Sequence, residues 1–244
     1  MGHALIDSRA RGRMAQGQKS FYYLLGGIVV IAVGALGYRI LGGKSVSIPA
    51  NVVISSADTS GFHGYLMGSE TAPVEITEYA DFECPGCAQF EAVSWPDVKS
   101  RLIDGGKARY RYRDMPLPIH PNSRLVAHAA ACADDQGKFW EMKTGIFRTQ
   151  TERATSRNPL GMLRDVAAAA GVNTDTWQQC MESAKYAGRI EASYQEAMKL
   201  GVQYTPSFLI GGRIYTGLSG DAMVQLVDSL VALKGSSTAT PPTP

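Results

Sequence analysis

The chain has 244 residues, 45% hydrophobic and 19% charged, which suits one domain of about 150–200 residues with flanking segments. Its formal charge of +2 hides an asymmetry: residues 1–42 hold Arg9, Arg11, Arg13, Lys19 and Arg39 against the single acid Asp7. The remaining 43–244 carry 19 basic and 21 acidic residues, a balance that argues against a polyanion binder with one basic face.

Residues 1–20 read as a basic cytoplasmic N-terminus. The uncharged run FYYLLGGIVVIAVGALGY (21–38) is 18 residues long, about 27 Å as a helix and close to the thickness of a hydrocarbon core. With Ile40 and Leu41 added past a snorkelling Arg39, it predicts a transmembrane anchor over 21–41. A cleaved signal peptide is the alternative, but its apolar region would be shorter and the candidate cleavage sites near Ala32 and Ala35 lie inside the run. Basic residues before the span orient the N-terminus to the cytoplasm and residues 43–244 outside it. In a bacterium that is the periplasm or the outer face of the membrane, where disulfides persist.

Residues 42–63 read as a linker, with a short strand possible at NVVISS (51–56). APVEITEYADF (72–82) alternates as a strand, with Val74, Ile76 and Glu78 on one face and Asp81 on the other. A helix is expected to open at Cys84 with Pro85 in its first turn, and Pro96 is expected to kink it. KARYRYRD (107–114) alternates basic and aromatic residues, a pattern that could grip single-stranded nucleic acid. With an acidic body around it, it reads instead as a strand with one packed and one solvated face, closed by Pro116 and Pro118. From about 121 to 200 the period is helical, and Phe139, Trp140 and Phe147 are candidate core. TPSFLIGGRIYTG (205–217) predicts a hairpin about Gly211-Gly212, followed by an amphipathic helix over 219–233 with Ser219 as cap. Residues 235–244 are expected to be a disordered tail. The order is strand, helix, strand, helical block, hairpin, helix, an α/β sheet with a helical insertion.

Four cysteines remain to be placed. A structural zinc site wants two close pairs of ligands, but Cys132 and Cys180 lie 48 residues apart and His120 and His128 eight apart. No metal or organic cofactor is indicated. A Cys-x-x-Cys at a helix start puts Cys84 near unsatisfied N–H groups and the positive end of the helix dipole, which favours the thiolate. Cys87 then stands within reach to resolve a mixed disulfide. Outside the cytoplasm, Cys132 and Cys180 read as a structural disulfide rather than as two buried thiols or a second redox pair. His120 gives no sign of catalysis.

APVEITEYADFECPGCAQFE, RDMPLPIHPNSRLVAHAAACADDQGKFWEM and GVQYTPSFLIGG together resemble the DsbA-like branch of the thioredoxin superfamily, over about residues 64–233. The resemblance implies a thioredoxin fold with a helical domain inserted over about 121–200. It implies that Cys84-Pro85-Gly86-Cys87 is the redox-active motif, that Thr205–Pro206 is a cis bond facing it, and that Glu78 is a buried acid exchanging a proton with Cys87. Asp81 is the alternative acid. Gly86 departs from the strongly oxidising members, which carry His there, so the pair should be less oxidising than their extreme. The expected function is an extracytoplasmic thiol–disulfide oxidoreductase that introduces disulfides into exported proteins with cysteines. The resemblance also implies reoxidation by a quinone-linked membrane protein of the DsbB or vitamin K epoxide reductase type. A tethered reductase or isomerase is the nearest alternative, and a non-catalytic chaperone with structural cysteines is another.

Overall fold

Period-two alternation in 74–80 builds the strand around which the body is arranged. In the computed structural model, which describes residues 21–34 and 46–237, this run is β2 (Val74–Ala80). β3 (Ala108–Asp114) lies parallel to it, with Glu78 opposite Tyr112. On its other side β4 (Ser207–Ile210) runs antiparallel, with Glu78 opposite Phe208. β1 (Tyr65–Met67) and β5 (Arg213–Thr216) complete the sheet in the order β1-β3-β2-β4-β5.

The tyrosines of KARYRYRD explain its alternation. Tyr110 and Tyr112 are fully buried, whereas Arg109 and Arg111 on the other face pair with Glu75 at 2.5 and 2.8 Å, and Arg113 pairs with Glu196. One face packs and the other is neutralised by carboxylates of the same protein.

Upstream of the sheet the chain departs from the linker reading. Residues 51–54 form no strand; the single helical turn α2 (Ser56–Thr59) follows. Asp58 accepts from both the backbone N–H and the hydroxyl of Ser55, at 2.7 and 2.6 Å, and this local capping outweighs the β preference of Val52 and Val53. From Val46 onward the segment belongs to the body: Ile48 is buried, and the Phe62 ring lies 5.0 Å from that of Tyr65. β1 escaped sequence reading because three residues cannot establish a period. It approaches β3 so closely that a Cβ on Gly64, at φ +107°, would stand 2.9 Å from the Tyr112 carbonyl.

Of the expected anchor over 21–41, residues 21–34 form helix α1, and 35–41 lie outside the described residues. Among the described residues no helix is long and apolar enough to cross a membrane.

The helix after β2 alternates α turns (α3, Pro85–Gln89; α4, Trp95–Val98) with π turns (Phe90–Ser94 and Lys99–Ile103). Pro96 stands in the first turn of α4, directly after the π turn Phe90–Ser94. Between β3 and β4 stand α5 (Ser123–Asp134), α6 (Phe139–Arg148), α7 (Gln150–Thr155), α8 (Pro159–Ala169), α9 (Thr174–Ser183) and α10 (Ala187–Lys199). Val126, Met142, Ile146, Leu163, Trp177 and Met181 are their buried centre. Phe139 stacks on Tyr65 and Phe147 packs against Phe82, so the insertion and the sheet share one core. Cys132 and Cys180 are disulfide-bonded, tying α5 to α9 with Cα atoms 5.8 Å apart. Closing a loop of this length is worth about 4 kcal/mol in the chain-entropy account. The final helix, α11 (Gly220–Ser237), is capped by Ser219, whose hydroxyl accepts the Ala222 N–H at 3.3 Å. It runs through 235–237, where the tail is expected to begin; residues 238–244 lie outside the described ones.

One group in this core is costly. Asp114, at the end of β3, is fully buried, and burial raises its pKa to about 7 despite Arg189 and Arg113 nearby and the Tyr65 hydroxyl turned to it. A carboxyl with a raised folded pKa withholds stability as pH climbs from its unfolded value through 7, at about 1.4 kcal/mol per unit of displacement. Asp114→Asn should therefore raise the Tm by several degrees over the parent at pH 8, with the gain shrinking towards zero by pH 4. Thermal unfolding at both pH values checks this.

Candidate active site

The turn into the CxxC helix is held by side chains on every side. Asp81, just past β2 and fully buried, accepts the Glu83 and Leu117 N–H groups at 2.8 and 2.7 Å, bonds His120 Nδ1 at 2.8 Å and accepts the Ser123 hydroxyl at 2.6 Å. A carboxylate engaged by four partners is an anchor. This corrects the alternative that made Asp81 the proton-exchanging acid, and it gives His120 a place as one of those partners. Gln150 of α7 donates to the carbonyls of Phe82 and Cys84 at 2.9 and 3.0 Å, and Arg153 donates to Phe82 at 3.2 Å. The insertion thus clamps the backbone just ahead of the CxxC helix.

Cys84 is the N-cap of α3, with extended backbone, Pro85 following and its own carbonyl taking the N–H groups of Cys87 and Ala88 at 3.1 and 3.2 Å. Both Cys84 and Cys87 are free thiols, 9% and 1% exposed. Register brings the second half of the site: Tyr79 opposes Ser207, so the two residues before β4 lie over the start of α3. The Thr205–Pro206 bond is cis, and the Cys84 thiol donates to the Thr205 carbonyl at 3.2 Å. Gly86 lies beneath Pro206; a Cβ there would stand 3.4 Å from the proline ring and 3.7 Å from the Cys84 sulfur, ordinary contact that leaves room for a side chain.

Two sulfurs three residues apart receive opposite treatment. The Cys84 pKa falls to about 5, first because the Cys87 thiol donates to it, then through the Thr205 hydroxyl and the N–H groups of Cys87 and Gly86, against a burial penalty. The Thr205 hydroxyl is buried without another partner, so it is free to serve the thiolate. Cys87 is pushed well above the usual thiol range by burial, by its bond to Cys84 and by the charge of Glu78.

Glu78 is fully buried and accepts the Tyr110 hydroxyl at 2.8 Å. Burial raises its pKa to about 7, with the Lys143 ammonium and Tyr110 restraining the rise. Lys143 of α6 is 1% exposed, ion-paired with Glu91 and seated 4.7 Å from the centre of the Trp95 ring. Thr144 donates to the other Glu91 oxygen at 2.9 Å. Glu91 could have been found in the sequence, seven residues after Cys84 on the same helix, two turns further along. Lys143 sits in an ordinary amphipathic helix and announces nothing. Among the described residues, His128, Cys132 and Cys180 are the one group with metal-ligand spacing, and its two cysteines are bonded to each other.

Beside the thiols a groove of about 490 Å³ is lined by Gly86, Phe90, Val93, Tyr204, Pro206 and Leu218, among others. Val93 and Tyr204 are 71% and 67% exposed there, apolar surface next to a reactive sulfur.

Two measurements follow from this geometry. In the reduced protein, thiolate absorbance and alkylation of Cys84 should titrate near pH 5, Cys87 should stay unmodified at neutral pH, and Thr205→Val should move the Cys84 transition upward. Lys143→Met should lose about 3–5 kcal/mol in denaturant unfolding by stranding Glu91, and Glu91→Gln should restore much of it.

A family model described as Thioredoxin matches residues 62–229. Among curated proteins, the Na(+)/H(+) antiporter NhaA 3 of Salinispora tropica is 36% identical over 63% of this chain and 22% of its own length. The chain thus spans about a fifth of that relative. Disulfide bond formation protein D of Bacillus subtilis is 24% identical over 61% of this chain and 68% of that protein. Among solved structures, Wolbachia pipientis alpha-DsbA1 superposes with a TM-score of 0.66 at 21% identity, covering 75% of this chain and all of the other. That likeness is one of fold.

Proposed function

We propose, for a chain that belongs to the thioredoxin family, that it is a DsbA-like thiol–disulfide oxidoreductase and works as an oxidant of exported proteins outside the cytoplasm. The observation that carries this reading is the Cys84 thiolate, with a pKa of about 5. Stabilising the reduced form makes the Cys84–Cys87 disulfide a better oxidant, and it makes Cys84 a good leaving group.

In the forward reaction a substrate thiolate attacks Cys84 of the disulfide, and Cys87 leaves. Its thiolate, held at high pKa, takes a proton, and Glu78 with a pKa of about 7 is the group placed to give one. A second substrate thiolate then attacks the substrate sulfur and releases Cys84 as thiolate. The substrate segment lies along the groove by Pro206 and Tyr204, where apolar contact holds it without demanding a sequence. Reoxidation falls to a quinone-linked membrane protein of the DsbB or vitamin K epoxide reductase type. An anchor over 21–41 would keep the pair beside it. The basic N-terminus and the Cys132–Cys180 disulfide support the extracytoplasmic side.

Equilibration of the full chain with glutathione buffers tests the direction. A reduction potential above about −180 mV supports the oxidant, whereas a value near −270 mV turns the reading to a reductase fed by a membrane donor. Cys87→Ser should accumulate a mixed disulfide between Cys84 and a substrate protein. Activity untouched by Cys84→Ser would instead favour the non-catalytic chaperone. Glu78→Gln should slow substrate oxidation about a hundredfold at pH 7, measured on a cysteine-pair peptide.

A further inference from the structure

His128 is a buried, titratable group that the chemistry at Cys84 does not use. It lies one helical turn before Cys132 on α5, and its Nδ1 stands 3.5 Å from the Cys132 sulfur and 3.3 Å from the sulfur of Met181. The backbone N–H of Tyr186 donates to Nε2 at 3.1 Å. An Nε2 that accepts a hydrogen bond carries no proton, so the proton of the neutral ring sits on Nδ1 and faces the sulfurs. The ring is neutral at physiological pH: burial, reinforced by the Arg189 charge, lowers its pKa to about 4 against the opposing pull of the Ala184 carbonyl and Asp135. This tautomer also disposes of a metal at the same spot. A metal on Nδ1 would force the proton onto Nε2, against the Tyr186 N–H.

We propose that Cys132–Cys180 is a second thiol-exchange site with a built-in polarity: a small thiol attacks Cys180, and Cys132 leaves as a thiolate received by the Nδ1–H of His128. The two cysteines differ in exposure as well as in partner: both are buried, but Cys180 is 9% exposed and Cys132 1%. Attack goes to the sulfur of the less buried residue, and the sulfur with a donor aimed at it leaves faster. The step balances. A thiolate RS⁻ displaces Cys132 and forms RS–S–Cys180; a second RS⁻ attacks the R sulfur, giving RSSR and the Cys180 thiolate. The two electrons come from the two small thiols, and their two protons end on Cys132 and Cys180. Reduction unties α5 from α9, while His128 still holds the turn before α10 through Tyr186.

The test uses the full chain carrying Cys84→Ser and Cys87→Ser, so that only this pair can react, with 2-mercaptoethanol as the thiol. After acid quenching, peptide mass spectrometry should find the adduct on Cys180 and a free thiol on Cys132. An adduct on Cys132, an even split, or reaction only in denaturant overturns the proposal. In the same background His128→Phe, shown folded by circular dichroism, should slow reduction about tenfold or more, the scale of a lost hydrogen bond to a charged group. A histidine that merely filled space would do the reverse, since its loss would loosen the packing and speed attack; an unchanged or faster rate therefore counts against the assigned role. Should His128→Phe fail to fold, His128→Gln replaces it, and the adduct position in the His128 protein decides the polarity independently.

Discussion

The buried carboxylate of Asp81 is the constraint on which the site depends. A carboxyl group with almost no exposure is tolerated only if its lone pairs are filled, and here four partners fill them from three directions. Those partners belong to the turn into α3, to the loop after β3 and to the first residue of α5. One side chain therefore ties the end of β2, the approach to Cys84 and the entrance of the helical insertion to one another. A Cys-x-x-Cys on a loosely held helix start would have the same residues and no defined sulfur position.

From that fixed point, reactivity is divided by depth. Cys84 sits at the helix start among donors, with the Cys87 thiol and the Thr205 hydroxyl turned to it, and is held as a thiolate. Cys87, one turn in and within the field of Glu78, is held as a thiol. The division needs no charged side chain at position 86, since the Cys87 thiol itself is the strongest donor to Cys84. Glu78 in turn is neither freely ionised nor fully suppressed: burial pushes it up, and Lys143 with Tyr110 pulls it back to about 7. A proton donor and acceptor poised there operates in both directions near neutral pH.

The insertion is part of this machinery as well as a cover. It contributes Lys143 from α6, Gln150 and Arg153 from α7, and the rings of Phe139 and Phe147 that join its core to the sheet. Its stability accordingly bears on the thiols. The disulfide that joins α5 to α9 lies in the same core cluster as Cys84 and Cys87.

The sequence by itself determined the local features. Alternation marked β2 and β3, the Pro and Gly positions marked the CxxC helix start and the hairpin, and similarity of motif marked Thr205–Pro206 and Glu78. Each depends on a few adjacent residues and on periods of two or 3.6, which survive in a one-dimensional string. Only the tertiary structure decided the rest. It set Asp81 as anchor rather than acid, drew Lys143 from 65 residues past Glu78 into its field, folded 46–63 onto the body and put the ring of His128 beside a disulfide. The physical reason is that desolvation and Coulomb energy depend on distance and exposure, which a sequence does not contain until the chain has packed.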